Sequence, residues 1–180
     1  GMIADLMNAA VYAARGEWFD ALVSTISTFP GASVAAKGLN KVGGPAVKLV
    51  IIPVVKRAGS IKKISPTTIK HAVNLLDYKA VGKMQAGSFL YLQRRINKYV
   101  PQVMPVLKAV VEGDFTAFAK AKNIPLTGVA SKALEKAFNK LHKLAVKPFS
   151  MLIDMLEFMS DPALMKVADG ALSGQLAAIK

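Results

Sequence analysis

The chain contains no cysteine. That absence excludes disulfides, thiol nucleophiles, zinc fingers and iron–sulfur centres together. Histidine is almost as scarce, with only His71 and His142 in 180 residues. Acids are few as well, 11 Asp and Glu against 24 Lys and Arg. Neither a metal site nor a catalytic carboxylate pair therefore has much to draw on. No unbroken apolar run reaches the roughly 18 residues of a membrane span. The longest, Leu49 to Val55, contains Pro53. Asp5 precedes any cation, and the first cation is Arg15, the wrong charge order for a secretory leader.

What is present is unusual in combination. Apolar residues make up 53% of the chain, yet the formal net charge is +13. So much apolar material excludes a disordered basic tail. The length fits one domain with room for a short appendage, and is enough to fold without staples. The charge is uneven. Residues 37–150 hold 18 Lys and 3 Arg against four acids, net +17, while 1–36 and 151–180 are each net −2. A greasy, cationic chain meets an anion, either nucleic acid or an anionic lipid surface. Arginine occurs only at 15, 57, 94 and 95. Arg is the residue of bidentate phosphate and base recognition, so its scarcity argues against sequence-specific reading of nucleic acid.

Hydropathy patterning predicts an all-α fold, a compact multi-helix bundle of short and medium amphipathic helices with an N-terminal helical hairpin. Helices are expected over 3–14 and 17–28, with Gly16 capping the first and Pro30-Gly31 ending the second. A short helix follows over 32–39. Gly43-Gly44-Pro45 reads as a break, and 46–56 as a bent buried helix or a strand, helix being favoured. Residues 58–64 form a basic linker. Ser65-Pro66 starts a helix whose Ile69, Ala72, Val73, Leu76 and Ala80 share one face. Further helices are predicted over 83–99, 102–112 beyond Pro101 and Pro105, 114–122, 129–147 and 149–159, with Ser160-Asp161-Pro162 opening a last one that becomes loose from Gly170. Residues 13–18 (AARGEW) echo 110–115 (VVEGDF): in each, a left-handed Gly, an acid at the next helix's positive end and an aromatic make an αα-hairpin.

Residues 5–37 carry a longer pattern: Asp5, Asn8, Ala9, Tyr12, Ala13, Ala14, Arg15, Gly16, Glu17, Trp18, Asp20, Ala21, Ser24, Pro30, Ala36 and Lys37. This string resembles the helical segment just upstream of the C-terminal toxin in bacterial polymorphic toxins, including Rhs-type and PAAR-linked effectors. The resemblance covers about a fifth of the chain. It implies a pre-toxin connector over 1–44 and a helical effector domain over 45–180. It also implies delivery into a target cell by a secretion system, in interbacterial competition, with a cognate immunity protein. The segment itself carries no catalysis, and the remainder matches no nuclease, deaminase or ADP-ribosylating motif.

One constellation stands out for binding. At 100° per residue, Lys132, Lys136, Lys140, Lys143 and Lys147 fall within an 80° stripe, opposite Ala133, Leu134, Ala137, Phe138, Leu141, Leu144 and Ala145. Such a helix can lie on anionic lipid, its cations at the headgroups and its apolar side immersed. It can also follow a phosphate backbone, or be a solvated surface helix packed on a core. His71 and His142 could serve a metal-independent ribonuclease as acid and base, with Lys70 or Lys143 steadying the phosphorane; both also fit as incidental surface histidines. Ser131, Glu135 and His142 resemble a triad only as names, because about 16 Å along one helix separates the first from the last. Asp154 and Glu157 are too few for a metal. Met151, Met155 and Met159, and the aromatics around Arg94 and Arg95, read mainly as core.

The expected function is a non-enzymatic antibacterial toxin that binds and permeabilises anionic membrane, with pore-forming oligomers possible there and no cofactor or metal. An RNA-directed nuclease in the target-cell cytoplasm and a harmless adaptor module are the alternatives.

Overall fold

The computed structural model describes residues 1–29 and 31–179, without the side chains of 33–35. Among the described residues there are nine helices and no strand, so the all-α expectation holds. Contacts divide the chain into two compact units. One comprises Gly1–Ser33 and Tyr99–Ile153, the other Val34–Lys98 and Asp154–Lys180.

The first unit opens with α1 (Met2–Ala14) and α2 (Trp18–Ser27), packed as a hairpin. Gly16 takes φ +80 between them, a conformation that favours glycine. The buried face of α1 is Leu6, Ala9, Ala10 and Ala13. Three alanines there let Phe19, Leu22 and Ile26 of α2 approach closely. The echo at 110–115 folds the same way. Helix α6 (Ser88–Glu112) ends at Gly113, φ +69, and Asp114 Oδ1 accepts the Ala117 N–H at 3.0 Å to cap α7 (Phe115–Ala121). The unit's core closes on Phe138 of α8 (Val129–Ser160), whose ring centroid lies 5.5 Å from Phe115 and 4.9 Å from Phe118.

In the second unit the expected break at Gly43-Gly44-Pro45 does not occur. Ser33–Gly38, Leu39–Gly43, Gly44–Ala46, Val47–Ile51 and Ile52–Ala58 run on as one helix, α3 (33–58). The strand alternative for 46–56 falls with it. Two segments of α3, 39–43 and 47–51, are π-helical, and each ends two residues before a proline, Pro45 and Pro53. Proline lacks the N–H and its ring crowds the carbonyl four residues back. The wider π turn accommodates both, so the helix absorbs its prolines at an eight-residue repeat. The 44/45 boundary expected between connector and effector falls inside this helix. Gly43 serves packing: a Cβ there would overlap the side chain of the fully buried Leu92 on α6, and one at Gly38 would overlap Tyr91.

A 3-10 turn, Ile61–Lys63, leads to α4 (Pro66–Asn74), where Ser65 Oγ accepts the Thr68 N–H as expected. The single helix expected over 66–80 is two. Asp77 Oδ1 captures the Ala80 N–H at 2.8 Å and caps a new helix, α5 (Tyr78–Gly82). Local side-chain capping thus beats the continuing apolar period. Helix α9 (Pro162–Ile179), capped by Asp161, packs on α4 and α5 and is helical to its end, not loose from Gly170.

Two further boundaries move. Helix α6 starts at Ser88 rather than 83 and passes through Pro101 and Pro105, which lie four apart and exposed. On that side water can hydrate the carbonyls left without donors. Helix α8 passes through Pro148 and joins the two helices expected over 129–147 and 149–159.

Candidate functional site

Every lysine of the predicted stripe, Lys132, Lys136, Lys140, Lys143 and Lys147, is exposed on α8. The row spans about 22 Å at 1.5 Å per residue. None of the five makes an ion pair among the described residues. The opposite side does not match the immersion picture. Phe138, Leu141 and Ala145 are fully buried core of the first unit. Of the large apolar side chains on that stretch, only Leu144 stays open, 43% exposed, with Val129 at the helix start. In the folded chain the stripe therefore offers charge, while its apolar underside is occupied.

Beside Lys143 and Lys147 the structure adds a feature that the sequence did not indicate. A groove of about 570 Å³ runs between α8 and the α1–α2 hairpin, walled by Ala13, Ala14, Trp18, Leu144 and Met151. Trp18 is the only tryptophan. It is 8% exposed, and its Nε1–H is buried without an acceptor among the described residues. The sequence shows the residue, but nothing in it shows the missing partner.

The two histidines belong to different units. His142 is structural: its Nδ1 lies 2.6 Å from the Val110 carbonyl, and its ring sits against Gly113. The carbonyl is an acceptor, so Nδ1 carries the proton and ties down the C-terminal end of α6. The same carbonyl accepts the Gly113 N–H at 3.2 Å, so the imidazole adds a second donor at that helix end. His71 is exposed on α4, at a cavity of about 340 Å³ that it shares with Arg57, Lys63 and Thr68 over apolar walls from α3. Among the described residues no group of three or more His, Asp or Glu could hold a metal.

Three other polar groups are partly or fully buried. Burial raises the Asp154 carboxyl above its usual range and lowers the Lys122 ammonium, which stands 3.9 Å over the Phe29 ring. Asp169 is buried on α9 with Oδ1 unbonded. Of the residues read as core, Phe89, Tyr99, Met155 and Met159 are buried, whereas Arg95 stacks over Tyr91 at 5.3 Å.

The expectation that no segment could span a bilayer changes with α3. Because the helix runs through its prolines, Ala36–Ala58 is a single 23-residue helix long and apolar enough to cross, by length and composition alone. It measures about 34 Å against a hydrocarbon core of about 30 Å. Half of that stretch is buried within the structure, as a soluble core helix would be.

No family model matches this chain, and comparison with curated proteins and with solved structures found no match.

Proposed function

We propose that this chain is the membrane-acting part of an antibacterial polymorphic toxin, which attaches to anionic lipid through α8 and then permeabilises the bilayer. The observation that carries the reading is the stripe of five exposed lysines without ion pairs among the described residues. Near an anionic surface each is worth about 1 kcal/mol. The length and composition of α3 supply a second element that could enter the bilayer. The resemblance of residues 5–37 to pre-toxin connectors supplies the biological setting: delivery to a target cell, action at its membrane, and a cognate immunity protein.

The test has two arms. Vesicles containing anionic lipid should bind the chain and leak an entrapped dye, while zwitterionic vesicles should do neither; dye retained at micromolar protein sinks the permeabilising step. Expression in the bacterial cytoplasm and in the periplasm then separates a toxin from an adaptor, which should be harmless in both. A second reading, an RNA-directed nuclease, draws on the cavity where His71 stands with Arg57 and Lys63. Intact tRNA after incubation with and without EDTA rules it out.

A further inference from the structure

The groove beside the stripe has the parts of a receptor for one lipid molecule. Its walls are apolar and come from three helices of one unit, with Ala13 and Ala14 from α1, Trp18 from α2, and Leu144 and Met151 from α8. Its volume, about 570 Å³, lies within the roughly 300–1,000 Å³ of small-molecule sites. Lys143 and Lys147 line it too, one helical turn apart, so their ammonium groups stand along one side. Among the described residues no carboxylate lines it. Within its wall, the buried Trp18 Nε1–H lacks an acceptor. A buried donor without an acceptor is unfavourable, and an oxygen brought by a ligand would remove that penalty.

We infer that this groove binds a single anionic amphiphile, an acyl chain ending in a carboxylate or phosphate. The chain lies along Ala13, Leu144 and Met151, the anionic head rests between Lys143 and Lys147, and a head-group oxygen accepts from Trp18 Nε1 once the indole turns toward it. The inference rests on the proposed affinity for anionic lipid and narrows it. The stripe attracts a surface, whereas the groove takes one molecule from it.

Trp18, as the only tryptophan, reports the site directly. The full chain is titrated with a dibrominated long-chain fatty acid, kept monomeric, while Trp18 emission is followed. Bromine quenches the indole on contact. The expected result is saturable quenching by the anion. The dibrominated fatty alcohol offers the two lysines no negative charge, so its quenching should be at least about tenfold weaker. Leu144→Asp places a charge in the apolar wall at an already exposed position and should abolish the quenching. The double variant Lys143→Gln/Lys147→Gln should weaken the anion to the level of the alcohol, and circular dichroism checks that both variants fold. No quenching, equal quenching by acid and alcohol, or quenching indifferent to Leu144→Asp overturns the inference. Binding to anionic vesicles is measured in parallel by co-sedimentation. Vesicle binding without quenching defeats the groove and leaves the membrane reading standing. Saturable quenching without vesicle binding does the reverse.

Discussion

Neutralising part of the stripe tests whether binding depends on how the charges are arranged or only on how many there are. In Lys132→Gln/Lys136→Gln/Lys140→Gln, three exposed cations without ion pairs among the described residues are removed and the groove lysines are left in place. Surface substitutions of this kind shift stability by less than about 0.5 kcal/mol each. Affinity for anionic vesicles should fall by about 1 kcal/mol per lysine, about 150-fold in all. The loss should be largest at low ionic strength and shrink as the Debye length approaches about 10 Å near 0.1 M salt. A control variant, Lys79→Gln/Lys83→Gln/Lys166→Gln, removes the same charge from exposed positions of the other unit. Co-sedimentation with anionic vesicles at two salt concentrations gives both affinities. If the control loses as much as the stripe variant, the chain binds as a diffuse polycation and the reasoning from the α8 geometry is refuted. A stripe variant within about threefold of the parent refutes it as well.

Four other outcomes follow from the same geometry. His142→Ala should destabilise by about 1 kcal/mol in urea titration, because the Val110 carbonyl loses its side-chain donor and keeps only the Gly113 N–H; a fully stable variant would mean the imidazole is incidental. Gly113→Ala should cost more than Gly16→Ala. Both positions have positive φ, but only at Gly113 does a new Cβ press on a ring, that of His142 at 3.1 Å. Asp154 is more easily protonated in the folded chain than in the unfolded one, so its contribution to stability falls as pH rises through the carboxylate range. Asp154→Asn should therefore raise the melting temperature at pH 7 and leave it unchanged below about pH 3, where the acid is protonated in both states. Gly43→Ala should cost about 1–3 kcal/mol by overpacking Leu92, and should speed dye leakage without changing vesicle affinity.

Local grammar was legible in the sequence where one residue decides the backbone. Gly16, Gly113, Ser65, Asp114 and Asp161 each cap or turn the chain as their side chains require. Proline misled, because its effect depends on surroundings that the sequence does not display. Pro101 and Pro105 cost little where water reaches the freed carbonyls, and Pro45 and Pro53 were absorbed by π turns. The breaks expected at Pro45, Pro101, Pro105 and Pro148 hid longer helices, and in α3 one of them also hid a segment of membrane-spanning length. The lysine stripe was legible because it depends on helical period alone. Its underside was not, since period shows that a face is apolar but not whether Phe115 and Phe118 already cover it. Nor could it show the groove, which needs three helices brought together.

Under the proposed function, the energies of α3 set the order of events at a membrane. Leu39, Val47, Val50, Ile51, Val54 and Val55 are buried in the second unit. At about 1.5–3 kcal/mol each, withdrawing them forfeits roughly 9–18 kcal/mol, an upper estimate. The bilayer returns less. Nine Leu, Ile and Val residues between 36 and 58, at about 0.3–0.6 kcal/mol each, give roughly 3–5 kcal/mol. Lys48, next to the midpoint of the span, takes back about 2.5–3.5 kcal/mol of that. Even the full stripe, at about 5 kcal/mol, does not close the gap. Attachment should therefore leave the chain folded, with the lysines of α8 on the headgroups and α3 still seated against Leu92. If the chain permeabilises membrane as proposed, leakage should be a later and slower step that waits on opening of the second unit. On the proposed function, affinity should answer to the stripe and leakage to the seating of α3.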